Sequence, residues 1–140
     1  MNLENLIVVS GLPGVYRMAA NRSNGLIIED LKTGKRRFAP ARRHQFTPLE
    51  SIAIFTDDGD STELRNVFRN MLQQLEDNPP VGTNAQPDEL QEYFMDVLPN
   101  FDRDRVHNGD IKKVIKWFNY LQETGHLTEE PEKGSAEEEE

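Results

Sequence analysis

Apolar residues in the first half of the chain come in short runs, each closed by turn residues. "NLIVVS" (5–10) runs into "GLPG", where Pro13 suits the first central position of a type II turn and Gly14 the second, which needs positive φ. "VYRMAA" (15–20) and "LIIEDL" (26–31) flank Asn24-Gly25, a strong two-residue hairpin signal. "KTGK" turns at Gly34 into "KRRFA" (35–39), and "SIAIFT" (51–56) is the fifth run. Five short strands with tight turns predict an SH3-like small barrel or a curled antiparallel sheet. Alternation is incomplete: Leu6 and Val8 oppose Ile7 and Val9, Leu26 and Ile28 oppose Ile27, and Ile52 and Ile54 oppose Phe55. Strands apolar on both faces are usually covered on both, so helices are expected to pack on this sheet.

The period changes in the second half. Asp60 is expected to cap a first helix, with Glu63 completing a capping-box variant; Leu64, Val67, Phe68, Met71, Leu72 and Leu75 then recur at helical spacing. "DNPPVGTNAQP" (77–87) breaks that pattern. Pro87 suits the first turn of a second helix lined by Leu90, Phe94, Val97 and Leu98 and stopped by Pro99. Asn108 or Asp110 opens a third, in which Ile111, Val114, Ile115, Phe118 and Leu121 face inward and Gly125 terminates. The expected fold is α+β: a β-barrel-like module over 1–58, about three helices over 59–127 packed on it, and a disordered acidic tail, 128–140.

Composition narrows the chemistry. With 140 residues, 36% hydrophobic, the chain suits one domain or two small modules. Its lack of cysteine removes disulfides, thiolate zinc sites and thiol nucleophiles. The first apolar run is too short to span a bilayer and lacks the cationic flank of a secretory signal. A soluble, cytoplasmic protein without a cofactor is expected.

The net charge of −9 hides an asymmetry. Residues 1–50 carry eight Lys and Arg against four Asp and Glu, and the remainder carries eight against twenty-one. Six of the sixteen cations, Lys32, Lys35, Arg36, Arg37, Arg42 and Arg43, fall in "KTGKRRFAPARRH", which His44 closes. Supported by Arg17 and Arg22, with Phe38 and Phe46 nearby for stacking, this stretch is a candidate anion or partner contact. Strand period two places Arg36 and Phe38 on one face and Lys35, Arg37 and Ala39 on the other, which divides the charge and assigns Phe38 to the core. The competing reading is an edge strand whose cations keep other strands from docking.

Other constellations are weaker. Asp102, Asp104, His107 and Asp110 suggest a metal site, but "DRDRVHNGD" departs from a calcium loop at the positions needing an oxygen ligand, Gly and Glu. No HExxH pair, nucleophile elbow, phosphate loop or dinucleotide fingerprint is present. The carboxylates of Asp57, Asp58 and Asp60 read as solvated loop acids. Lys112, Lys113 and Lys116 lie opposite the apolar stripe of the third helix, and Trp117 and Tyr120 lie off it as either packing groups or a candidate exposed contact.

The ordered segments "VVSGLPGVYRM", "NGLIIEDL", "GKRRFAP", "LESIAIFTDDG", "YFMDVLPNFDRDRV" and "DIKKVIKWFNYL" resemble a family of uncharacterised bacterial proteins classed as a domain of unknown function. The resemblance spans about residues 3–125. It implies a small N-terminal β-barrel-like module joined to a helical one, and it implies no activity, cofactor or catalytic residue.

The leading functional expectation is therefore a non-enzymatic binding or adaptor protein acting through protein contacts, with no membrane partner. RNA or DNA binding through residues 32–44 is the alternative, and self-association as a structural homo-oligomer is a third.

Overall fold

Tight turns make neighbours in sequence into neighbours in space, and residues Leu3–Ile52, the first of two structural units, follow that rule. The computed structural model describes residues 3 to 127, so the expected tail at 128–140 lies outside the described residues. Strands β1 (Leu6–Val9), β2 (Tyr16–Arg22), β3 (Gly25–Asp30), β4 (Arg36–Pro40) and β5 (Phe46–Pro48) form one antiparallel sheet in the order β4-β3-β2-β1-β5. The α+β class and the five-strand count hold, and the sheet is open, with β4 and β5 as its edges. An irregularity between Met18 and Ala20 interrupts the β2–β3 register, the kind of bulge that increases local twist.

The fifth strand is not the one expected. Phe46–Pro48 pairs with β1, whereas the apolar run at 51–56 supplies β6 (Ala53–Phe55), which pairs with β7 (Ser61–Glu63) in a separate hairpin. β6 has the β-branched and aromatic content of a strand, but its partner "STE" has no apolar periodicity to advertise it. Ser61–Glu63 is consequently extended, and the capping box expected from Asp60 and Glu63 does not form. Helix α1 (Leu64–Gln73) starts after Glu63 without a side-chain cap, and the Asp60 carboxylate instead accepts the Ser61 amide at 2.8 Å.

In the first unit, Ile7, Val9, Tyr16, Ile28 and Ala39 form a buried cluster on one face, with Leu12, Met18, Leu26 and Phe46 packed against it. Gly14 takes φ +83° in the turn before β2. The expected β2–β3 hairpin is present, but Arg22 pairs with Gly25, so Ser23 and Asn24 form its loop and Gly25 lies inside β3 without positive φ. Glycine is needed there for space: a Cβ would overlap the Ala39 carbonyl oxygen and stand 2.9 Å from the Phe38 ring.

The second unit begins at Ala53. After its hairpin and α1 come α2 (Pro87–Val97) and α3 (Asn108–Glu123), and the apolar stripes read from the sequence are buried at Val67, Phe68, Leu90, Phe94, Ile111, Ile115 and Phe118. Phe68 meets Phe118 with ring centroids 6.0 Å apart, and Phe94 meets Phe101 edge-on at 5.0 Å. The α2–α3 connection lies against the hairpin: the Asp57 amide donates to the Asn100 carbonyl at 2.8 Å and the Asp102 amide to the Phe55 carbonyl at 2.9 Å. Pro87 opens α2 as expected. For α3 the N-cap is His107, whose amide donates to the Asp110 carboxylate at 3.0 Å, so Asn108 and Asp110 are the first and third helical residues.

Candidate partner-binding surface

The basic stretch follows β4 from one end to the other. Direct register across three strands, Arg17 to Glu29 to Arg36, places one carboxylate between two guanidinium groups on the face opposite the buried cluster. Glu29 lies 3.1 Å from Arg36 and 3.7 Å from Arg17. Arg36 is thus held by an internal ion pair, while Lys35 and Arg37 are exposed at the start of the strand. Arg42 and Arg43 are exposed in the turn after Pro40, and Lys32 is exposed in the turn before β4, where its amide donates to Asp30 at 2.8 Å. Since β4 rises about 3.3 Å per residue, Lys35 and Arg42 lie well apart, and the six cations do not converge on one spot. His44 is structural: its Nδ1–H donates to the Ser10 carbonyl at 2.7 Å, tying the β4–β5 loop to the turn after β1.

Phe38 is not a core residue. It shares the Arg36 face, is 41% exposed, and lies over Gly25, while the small Ala39 takes the fully buried position. The period-two division was correct, but the size of Phe38 pointed to the wrong face. Gly25 is the signal that locates it, because a glycine inside a strand often marks close approach by another group.

A second surface was missed in the sequence. Phe55, in the two-stranded hairpin of β6 and β7, is 45% exposed, and Met95 on α2 is 40% exposed. The Arg105 guanidinium stacks 4.9 Å from the Phe55 centroid and pairs with Asp102 at 3.6 Å. Arg103 Nη2 lies 2.7 Å from Met95 Sδ, with its guanidinium 5.8 Å from the Phe101 centroid. "DRDR" therefore serves as an aromatic and thioether overlay. Asp102 accepts the Asp104 amide at 2.9 Å, and among the described residues no His, Cys, Asp and Glu group of three or more is placed to hold a metal.

The remaining candidates are packing groups or solvated. Trp117 and Tyr120 are half-buried, so neither presents a fully exposed ring, and Lys113 and Lys116 face solvent. In the β6–β7 turn the Thr56 hydroxyl donates to Asp58 at 2.6 Å; this bond, with the Asp60 amide, holds the exposed Asp58 carboxyl below its ordinary range. Tyr93 is buried, and its hydroxyl has no hydrogen-bond partner among the described residues. Burial, with the nearby Asp96 charge, raises its pKa well above the usual phenolic value. No helix among the described residues is long and apolar enough to cross a membrane.

Residues 52–121 match the model of a domain of unknown function, DUF6852. The chain belongs to that family. Residues 3–49 match a second model, the domain of unknown function DUF5606, and the two matches meet where the structural units do, beside Ile52. A solution NMR structure from Bacteroides vulgatus, a structural-genomics target, is 37% identical to this DUF6852 chain. The similarity covers 91% of this chain and 90% of that one, with a TM-score of 0.72. None of the curated proteins matches. The expected resemblance to bacterial domains of unknown function is thereby shown.

Proposed function

We propose that this DUF6852 protein is a non-enzymatic binding or adaptor protein that works through protein contacts. The observation that carries the reading is the Phe55 ring, nearly half exposed beneath the Arg105 guanidinium, with Met95 and Arg103 forming a like pair on the same unit. Aromatic residues, Met and Arg are the side chains enriched in protein interfaces, and they carry much of the energy there. Arg103 and Arg105 are both exposed, so the fitting partner is a folded protein with an apolar patch rimmed by acids that compete with Asp102 for Arg105. Pairing of Arg36 with Glu29 weighs against a continuous phosphate track along β4.

Affinity capture of the tagged full chain from its native cell, with and without nuclease, tests the class of partner. Protein partners retained after nuclease treatment are expected. Partners released by nuclease favour RNA or DNA, and recovery of this chain alone, with a doubled mass by light scattering, favours self-association.

A further inference from the structure

The edge of β4 has a backbone pattern that suits addition of one more strand. In an antiparallel ladder alternate residues turn their N–H and C=O towards the neighbouring strand. The Asp30 amide donates to the Lys35 carbonyl at 2.8 Å and the Ala41 amide to the Asn24 carbonyl at 2.9 Å. With Arg37 opposite Ile28 and Ala39 opposite Leu26, this phase directs the backbone groups of Lys35, Arg37, Ala39 and Ala41 towards β3. Those of Arg36 and Phe38 point the other way, to the edge where no strand among the described residues pairs. Pro40 ends the row, since it has no N–H and its carbonyl accepts the Arg43 and His44 amides at 3.1 and 3.2 Å. The open edge is thus two residues long, with two donors and two acceptors.

We propose that this edge takes up an extended acidic peptide segment as a sixth strand. Main-chain bonds to Arg36 and Phe38 supply the pairing, and side chains supply the choice of partner. A residue added opposite Phe38 lies beside an exposed aromatic ring, and its neighbour opposite Arg37 lies beside an exposed cation. Lys35 and Arg37 at one end and Arg42 and Arg43 at the other form no ion pair among the described residues. Cations on an edge repel basic strands and leave neutral ones with buried charge, so the segment that these four select is one alternating acidic with apolar residues. The surface belongs to the first unit and its fate is independent of the Phe55 patch on the second.

The test uses the isotopically labelled full chain and two synthetic eight-residue peptides, one alternating Glu with Val and the other Lys with Val. Hydrogen exchange by NMR reads each amide of β4. The Glu-Val peptide is expected to slow exchange at Arg36 and Phe38 by about tenfold or more at saturation, leaving the already bonded Arg37 and Ala39 amides unchanged. Arg37→Glu, an exposed change, is expected to weaken that peptide by about tenfold and to strengthen the Lys-Val peptide. Equal binding of both peptides overturns the proposal, as does Glu-Val binding without protection at Arg36 and Phe38. Absence of binding at millimolar peptide also overturns it, and so does a single-stranded oligonucleotide that binds this edge more tightly than the peptide.

Discussion

Gly25 and Phe38 show how one missing methyl group places a large ring. The strand hydrogen bonds bring the Ala39 backbone so close to Gly25 that a Cβ has nowhere to go, and the Phe38 ring fills the space over the bare Cα. Gly25→Ala is expected to destabilise the chain by about 1–3 kcal/mol, the usual range for overpacking, despite the better intrinsic strand propensity of alanine. Denaturant unfolding checks it, and an unchanged midpoint contradicts the close approach. Tyr93 is the reverse case, a buried hydroxyl with no partner among the described residues. Tyr93→Phe removes that group without a cavity and is expected to leave stability unchanged or raise it by up to about 1 kcal/mol. Because the folded state raises this phenol above its unfolded value near 10, its contribution is complete below that pH and is lost as pH rises through the folded value. Alkaline unfolding above pH about 10, shallower in Tyr93→Phe, is the expected signature in a circular-dichroism titration.

At the level of elements, the C-terminal end of α2 is closed by side chains from outside it. Asn70 Nδ2 donates to the Val97 carbonyl at 3.0 Å and Gln74 Nε2 to the Asp96 carbonyl at 2.8 Å, so α1 satisfies the last carbonyls of α2. Asn70→Ala is expected to cost about 1–2 kcal/mol in a thermal or denaturant melt, through a half-buried carbonyl left without this donor. A loss as small as that of an exposed helix substitution contradicts the role. These long-range caps were not legible in the sequence, because Asn70 and Val97 are 27 positions apart and nothing local links them. The three helices were legible, since stripes such as Leu64, Val67, Phe68 and Met71 need only local periodicity. Strand identities were half legible: β1 to β4 announce themselves by turns, but β5 is three residues including Pro48, and β7 is polar throughout. Asp60 and Glu63 satisfied a capping pattern that the pairing of β7 with β6 displaced.

Across the whole chain, the two family models meet beside Ile52, where the five-stranded sheet has ended and the unit with the β6–β7 hairpin and the three helices begins, and the charge asymmetry divides at nearly the same place. Composition pointed to residues 32–44 as the surface of interest, but pairing across β3 and β4 ties Arg36 to Glu29 and leaves the other cations spread along an edge. The Phe55, Met95, Arg103 and Arg105 surface carried no such signal, because its four residues come from a strand, a helix and a loop that only the fold brings into one unit. The most direct measurement of the central claim is quantitative mass spectrometry of proteins captured by the wild-type chain and by a Phe55→Ser, Met95→Ser variant, after nuclease treatment and with the fold of both verified by NMR. A partner at least about tenfold depleted from the variant is expected, as when hot-spot side chains are removed. Equal recovery of every partner by the two folded chains contradicts it.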